Sequence, residues 1–134
     1  MHKELVCFYD FRVCPATYDF VSFIAHAETC RIRRGLESLQ IVFVKGPKNG
    51  YRDDNLGRDK LNETFFHNVI LPSLGLLKSI TKFDLLEPSE INTENLPQEQ
   101  IFPRGYTRQK PVSEYLGSYL VLCQLMGDKF PKLE

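Results

Sequence analysis

The chain has 134 residues, of which 43% are hydrophobic, so it can bury the core of one domain without a metal or a disulfide. Its 17 basic residues balance its 17 acidic residues, which argues against nucleic acid as a partner because phosphate-backbone binding needs a basic excess. The four cysteines form no CxxC pair, and no apolar run approaches the roughly 18 residues of a membrane span. These features predict a cytoplasmic protein with reduced cysteines and no membrane span.

The first third of the chain predicts a strand, a helix and a second strand. Residues 5–13, LVCFYDFRV, form a short aromatic and β-branched run typical of a buried strand. Over 17–35 the apolar residues recur at helical spacing, with Pro15 before the first turn and three arginines before Gly35. Residues 38–46, SLQIVFVKG, are the clearest strand in the sequence.

The rest of the chain predicts two more helices and two more strands. Residues 61–79 are apolar on nearly every side and contain a proline and a glycine, which predict a kinked helix. A third strand is expected at 81–88, and a short edge strand at 101–106, where Pro103 limits pairing. Residues 111–126 begin with a proline and end before a glycine, which favours a final helix.

This order of elements is typical of right-handed βαβ units on a mainly parallel sheet. We therefore predict an α/β fold: one three-layer Rossmann-like domain over 1–134, with three to four strands in the order β-α-β-α-β-(β)-α. A domain of this kind corresponds to about half of a doubly wound nucleotide-binding fold.

Two polar segments should meet at the carboxyl edge of this sheet, where such folds bind ligands. They are RVCPAT (12–17), after the first strand, and KGPKNGYRDD (45–54), after the second. The cations could neutralise an anion, while the glycines let the backbone approach it and the next helix offers free N–H groups. The predicted ligand-binding residues are Arg12, Thr17, Lys45, Gly46, Lys48, Gly50 and Arg52.

The same glycine-rich loop has a second interpretation as an ordinary solvated turn. Pro47 suits the second position of a turn, and Asn49 and Gly50 tolerate left-handed conformations. The spacing matches neither GxxxxGK[ST] nor GxGxxG, which argues against the usual ATP and NAD cradles. Three histidines without ligand spacing argue against zinc. We predict no cofactor and no metal, and the sequence identifies no catalytic residue.

Individual titratable residues have simple structural interpretations. Asp10, inside the first strand, is expected to pair with a neighbouring arginine. His26 lies on the polar side of its helix and is expected at the surface, whereas His67 is expected to pack between helices. The arginines at 31, 33 and 34 are expected to compensate the C-terminal end of the first helix.

Three stretches of the sequence resemble a known family. FYDFRVCPATYDFVSFIAHAE, IVFVKGPKNGYRDD and FHNVILPSLGLL, within residues 6–80, resemble the N-terminal region of bacterial glycosyltransferase-like proteins of surface-polysaccharide synthesis. The resemblance implies a GT-B-like arrangement of two Rossmann-like domains with the substrate cleft between them. It therefore implies that this chain is the N-terminal half of a two-domain protein or has a second-domain partner. The positions that match its two loop motifs are Arg12, Pro15, Thr17, Gly46, Gly50 and Arg52.

The chain departs from that family in length, because GT-B enzymes keep most nucleotide-sugar contacts in a second domain. The leading hypothesis is therefore a glycosyltransferase-like module that binds a nucleotide-sugar or another phosphate-bearing or sugar ligand at the loops after strands one and two, but does not complete a transfer alone. The alternative is a non-catalytic interaction domain that forms a homodimer or complex through the apolar stretch 119–126 of its final helix.

Overall fold

The computed structural model describes residues 3–53 and 59–111. Its centre is a four-stranded sheet in which every pairing is parallel, with the strand order β3-β2-β1-β4. This arrangement confirms the predicted α/β, Rossmann-like fold. The strands are β1 (Glu4–Asp10), β2 (Ser38–Val44), β3 (Ile80–Leu86) and β4 (Ile101–Phe102).

Helix α1 (Asp19–Arg34) joins β1 to β2 and ends where the sequence predicts. Gly35 caps it in the left-handed conformation, at φ 66°, and its N–H contacts the carbonyl oxygens of Arg31 and Ile32. The arginines of the last turn do more than compensate the helix end, because Arg34 also donates to the carbonyl oxygen of Ile101 in β4 at 2.9 Å.

The second helical stretch is interrupted, as predicted. Helix α2 (Asp59–Phe65) passes into a π-helical turn (Phe66–Ile70), a short α-helical turn (Leu71–Ser73) and a 3-10 turn (Leu74–Leu76). Pro72 has no N–H to donate to the preceding turn, which accounts for the change of helical pitch just before it.

The core occupies both faces of the sheet. On one face, helix α1 and the π-helical turn (Phe66–Ile70) cover inward-facing side chains of β1 and β2. The other face is covered by the connection from β3 to β4, which contains two 3-10 turns (Pro88–Glu90 and Gln98–Gln100). The buried cluster on this second face consists of Phe8, Val42, Val44, Ile91, Ile101 and Tyr106.

All four predicted strands are too long at their carboxyl ends, the second and third by two residues each. The first ends at Asp10 rather than residue 13, because the N–H groups of Val13 and Cys14 both turn back to the Asp10 carbonyl oxygen. The last pairs over two residues only and stops before Pro103. The predicted final helix, 111–126, lies almost entirely outside the described residues. Among those described, no helix is long and apolar enough to cross a membrane.

Candidate functional site at the carboxyl edge of the sheet

The two predicted loops meet at the carboxyl edge of the sheet. Arg52 in the second loop donates from Nη1 to the carbonyl oxygen of Val13 in the first, at 3.2 Å. Gly46 lies against the backbone of both Phe11 and Tyr51, so closely that any β-carbon at this position would overlap with them. The expectation that these distant segments form one rim is therefore confirmed.

The loop after β2 folds as a hairpin. The N–H of Gly46 donates to the carbonyl oxygen of Gly50 at 2.8 Å, and Lys48 and Tyr51 exchange two backbone hydrogen bonds of 2.9 and 3.0 Å. Asn49 and Gly50 have φ values of 56° and 95°, the signs required by a two-residue hairpin turn. The turn interpretation of this loop is thus confirmed for its backbone, and three of its N–H groups are used inside the loop.

Both lysines of the hairpin lie beside carboxylates. Lys45 Nζ lies 3.2 Å from Glu87 Oε1, just beyond the end of β3. Lys48 Nζ lies 4.0 Å from Asp53 Oδ1. All four side chains are substantially exposed, so the pairs remain accessible to water and to a ligand. The site is consequently less positive than a count of its cations suggests.

The third cation, Arg12, belongs to a buried network. Its Nε and Nη2 donate to both carboxylate oxygens of Asp10, with Nη2 to Oδ2 at 2.6 Å. This confirms the expected pairing of Asp10 with a neighbouring arginine. Tyr106 Oη donates to the same Oδ2 at 2.5 Å, and its ring stacks on Phe8 with centroids 4.5 Å apart. Tyr106 is 96 positions from Asp10, and no local sequence signal indicates its part in this network.

The network raises the pKa of two of its members, Arg12 and Tyr106. The hydrogen bonds to the carboxylate of Asp10 raise the pKa of Arg12. Burial raises the pKa of Tyr106 far above its usual value, and the adjacent Asp10 carboxylate raises it further. The guanidinium therefore stays charged and the phenol stays neutral, which locks the end of β1 to the segment after β4.

Thr17 has a structural role at the start of α1. Its Oγ1 accepts a hydrogen bond from the N–H of Asp19 at 3.2 Å, which satisfies one of the open donors of the first turn. Nearby, Tyr9 Oη donates to the carbonyl oxygen of Pro15 at 2.5 Å and so holds the first loop against β1. The polar groups of the first loop are thus largely used within the fold.

A cavity of about 310 Å³ opens beside the hairpin, between it and the end of β3. Its lining contains both aromatic and polar side chains. Burial raises the pKa of Tyr51, and Glu63 adds to that shift, so the phenol is a neutral donor at physiological pH. The lining residues are Phe11, Lys45, Asn49, Gly50, Tyr51, Phe66, Leu85 and Glu87.

A second cavity, of about 320 Å³, lies between residues 89–94 and the pair 108–109. Its lining contains no aromatic ring, and most of its side chains are exposed. The cavity beside the hairpin therefore combines apolar and polar contacts better. Of the seven predicted site residues, Lys45 and Gly50 line that cavity.

The histidines differ from prediction. His26 is half-buried rather than fully exposed, and burial lowers its pKa. His67 does not pack between helices, because its side chain is 60% exposed and faces Glu63 at 4.0 Å. Within residues 3–53 and 59–111, no three His, Cys, Asp or Glu side chains are placed together to hold a metal.

No protein-family model, curated protein or solved structure matches this chain. The likeness to glycosyltransferase-like proteins therefore rests on the sequence stretches quoted above.

Proposed function

We propose that this protein is a Rossmann-like binding module, related to glycosyltransferases, that holds a sugar-containing ligand in the cavity beside the 45–51 hairpin. The carrying observation is the composition of that cavity, whose lining contains three aromatic residues and the Lys45–Glu87 pair at the carboxyl edge of a parallel sheet. Ligands of this fold class bind at the same edge.

The aromatic residues of the lining suit the face of a sugar ring. Tyr51 is the partly exposed member, and it packs against Phe11 and Phe66, which are buried and lie 5.8 Å apart in an edge-to-face contact. A ring held in this way loses little freedom when a ligand packs on it. A pyranose ring offers C–H groups on its face and hydroxyl groups at its edge, which matches a lining that contains both aromatic and polar side chains.

The polar side of the cavity suits hydroxyl groups. Lys45 can donate and Glu87 can accept, while the amide of Asn49 can do both. Because Lys45 and Glu87 already balance each other, a neutral hydroxyl group fits there at less electrostatic cost than a bare phosphate. A phosphate group attached to the sugar could pair with the ammonium group of Lys48 on the hairpin, so a nucleotide-sugar also fits the proposal.

This proposal assigns binding and no reaction. The described part of the cavity contains one carboxylate, Glu87, and that carboxylate is exposed and paired with Lys45. General acid and base chemistry on a glycosidic bond ordinarily uses two carboxylates that flank the bond. A complete transfer would therefore require groups from a second domain or a partner.

The test is a titration of the full chain, followed by amide NMR shifts, with three probes: methyl glycosides, sugar nucleotides and inorganic phosphate. We expect sugar nucleotides or glycosides to shift the amides of residues 45–51, and inorganic phosphate to leave them unchanged. Lys45→Ala and Glu87→Gln should each weaken binding about tenfold, the value of one charge-assisted hydrogen bond. Lys78→Ala, an exposed lysine at the opposite edge of the sheet, is the control.

Lys48→Ala separates the two ligand classes. It should weaken a sugar nucleotide and leave a methyl glycoside unaffected. If none of the probes shifts residues 45–51 at millimolar concentration, the proposed function is wrong. Equal losses in Lys45→Ala and Lys78→Ala would also contradict it, because they would place the ligand elsewhere.

A further inference from the structure

The outer strand β3 is unusually open for a strand of a parallel sheet. Residues 81–85 are all exposed, and they include Phe83 at 50% and Leu85 at 46%. Parallel strands are normally covered on both faces and rich in buried apolar residues. No strand of the described chain pairs with the outer edge of β3.

The backbone of β3 presents hydrogen-bonding groups along that edge. The N–H of Lys45 donates to the carbonyl oxygen of Leu86 at 2.9 Å, so the Leu86 peptide faces β2. Because successive residues of a strand direct their peptide groups to opposite edges, the groups of Phe83 and Leu85 face outward. An exposed row of this kind is a template for pairing with another strand.

The side chains of β3 are complementary to those of an inverted copy of the same strand. Lys82 and Asp84 flank Phe83 symmetrically, and the register of β3 against β2 places both on the face opposite the α1 and α2 side. In an antiparallel pairing centred on Phe83, Lys82 of each copy would stand opposite Asp84 of the other. The central pair would be Phe83 with Phe83, and Thr81 would stand opposite Leu85.

The backbone and the charges favour the same register. Phe83, whose peptide groups face outward, would form the central hydrogen-bonded pair with its own copy. Lys82 and Asp84 would then occupy the non-hydrogen-bonded pairs, where opposing side chains lie closest. In the single chain, Lys82 Nζ lies 3.7 Å from Glu4, and Asp84 accepts a hydrogen bond from Gln40 at 3.0 Å, on the same face of the sheet. These contacts do not prevent Lys82 and Asp84 from pairing with a second copy.

We propose that two copies of this chain associate through β3, antiparallel and centred on Phe83, to form one continuous eight-stranded sheet. The contact has two-fold symmetry and uses the same surface of both copies. It removes the outer edge of β3 from solvent and brings the exposed Phe83 and Leu85 side chains of each copy towards those of the other. Leu85 also lines the proposed ligand cavity, whereas Lys45 and Glu87 lie beyond the residues of this contact.

Sedimentation equilibrium on the full chain tests this proposal with single charge reversals. Lys82→Asp puts two acidic residues opposite each other, and Asp84→Lys puts two lysines opposite each other. Each should weaken the dimer by about tenfold or more, because two symmetry-related pairs change from attraction to repulsion. Lys78→Asp carries the same charge change as Lys82→Asp outside β3 and should leave association unchanged.

Mixing the two reversed variants gives the sharpest result. Lys82→Asp presents two acids and Asp84→Lys presents two lysines, so an equimolar mixture should form a heterodimer although each variant alone is largely monomeric. The double variant K82D/D84K should dimerise like the unmodified chain. A monomer at every concentration up to millimolar would overturn the proposal, as would a dimer that is indifferent to both reversals. Circular dichroism verifies that each variant is folded.

Discussion

The carboxyl edge of the sheet contains two charged regions that behave in opposite ways. In the first, Asp10 is fully buried and its carboxylate is shared by Arg12 and Tyr106. In the second, Lys45 Nζ and Glu87 Oε1 lie 3.2 Å apart in the lining of a cavity, and 39% and 54% of the two side chains are exposed. Both regions contain a cation and a carboxylate, and both were reasonable candidates for a ligand site.

The difference between them is burial, which decides what a charge pair can do. Removing one partner of a buried pair is costly because it leaves the other charge poorly solvated, so the buried region is closed to ligands. An exposed pair contributes little to stability because water already solvates both groups. A ligand can therefore compete for Lys45 and Glu87 at low cost, and it cannot do so for Asp10.

The largest expected effect is from Asp10→Asn. The substitution leaves the guanidinium of Arg12, 26% exposed, without its carboxylate and should lower the free energy of unfolding by about 3–5 kcal/mol. Urea denaturation followed by circular dichroism measures the loss. Glu94→Gln, which changes an exposed carboxylate, is the control. A loss below about 1 kcal/mol would mean that the buried region is solvated like the exposed one.

Gly46→Ala should have the next largest effect. A β-carbon there would lie 2.5 Å from the carbonyl oxygen of Phe11 and would overlap with the backbone of Tyr51. Moving the hairpin away should cost about 2 kcal/mol and should also weaken ligand binding in the adjacent cavity. Gly75→Ala is the matched control, because nothing lies within 4 Å of its β-carbon. Equal effects at the two glycines would contradict the close approach of the loops.

Tyr106→Phe should cost about 1.5 kcal/mol, less than Asp10→Asn, because Arg12 still satisfies the carboxylate. Stacking on Phe8 is retained, so the change isolates the hydroxyl group. Thermal or urea unfolding at neutral pH measures it. An unchanged free energy of unfolding would show that the hydroxyl group adds nothing to the Asp10–Arg12 pair.

The same residue predicts an alkaline pH dependence. The pKa of Tyr106 is raised in the folded protein, so the unfolded chain loses this proton first, near pH 10. Its contribution is complete below about pH 10 and declines as the pH rises further. The free energy of unfolding should therefore fall less steeply above about pH 10 in Tyr106→Phe than in the unmodified chain. Identical slopes would show that another group dominates.

The smallest effect on stability is expected at the exposed pair. Lys45→Ala and Glu87→Gln should each change the free energy of unfolding by less than about 0.5 kcal/mol, while weakening binding in the titration described above. Denaturation curves of both variants provide the measurement. A loss as large as that of Asp10→Asn would make the pair structural and would remove the contrast between the two regions.

The two regions also differed in how far they could be predicted. The pairing of Asp10 with an arginine was predictable because Arg12 is two residues away along the same chain segment. The hairpin turn was predictable because Asn49 and Gly50 are well suited to positive φ values. The roles of Tyr106 and Glu87 were not predicted, because each contacts a residue that is distant in sequence. Tyr106 contacts Asp10, and Glu87 contacts Lys45.

The amino-acid sequence by itself determined the order of helices and strands, the parallel α/β sheet and the turn at 48–51, because periodicity and backbone preference are local properties. Only the tertiary structure decided which carboxylate neutralises which cation, which edge residues stay exposed and where a cavity opens. Those outcomes depend on distances between segments that the fold brings together, and the free energy of a charge depends on the burial that results.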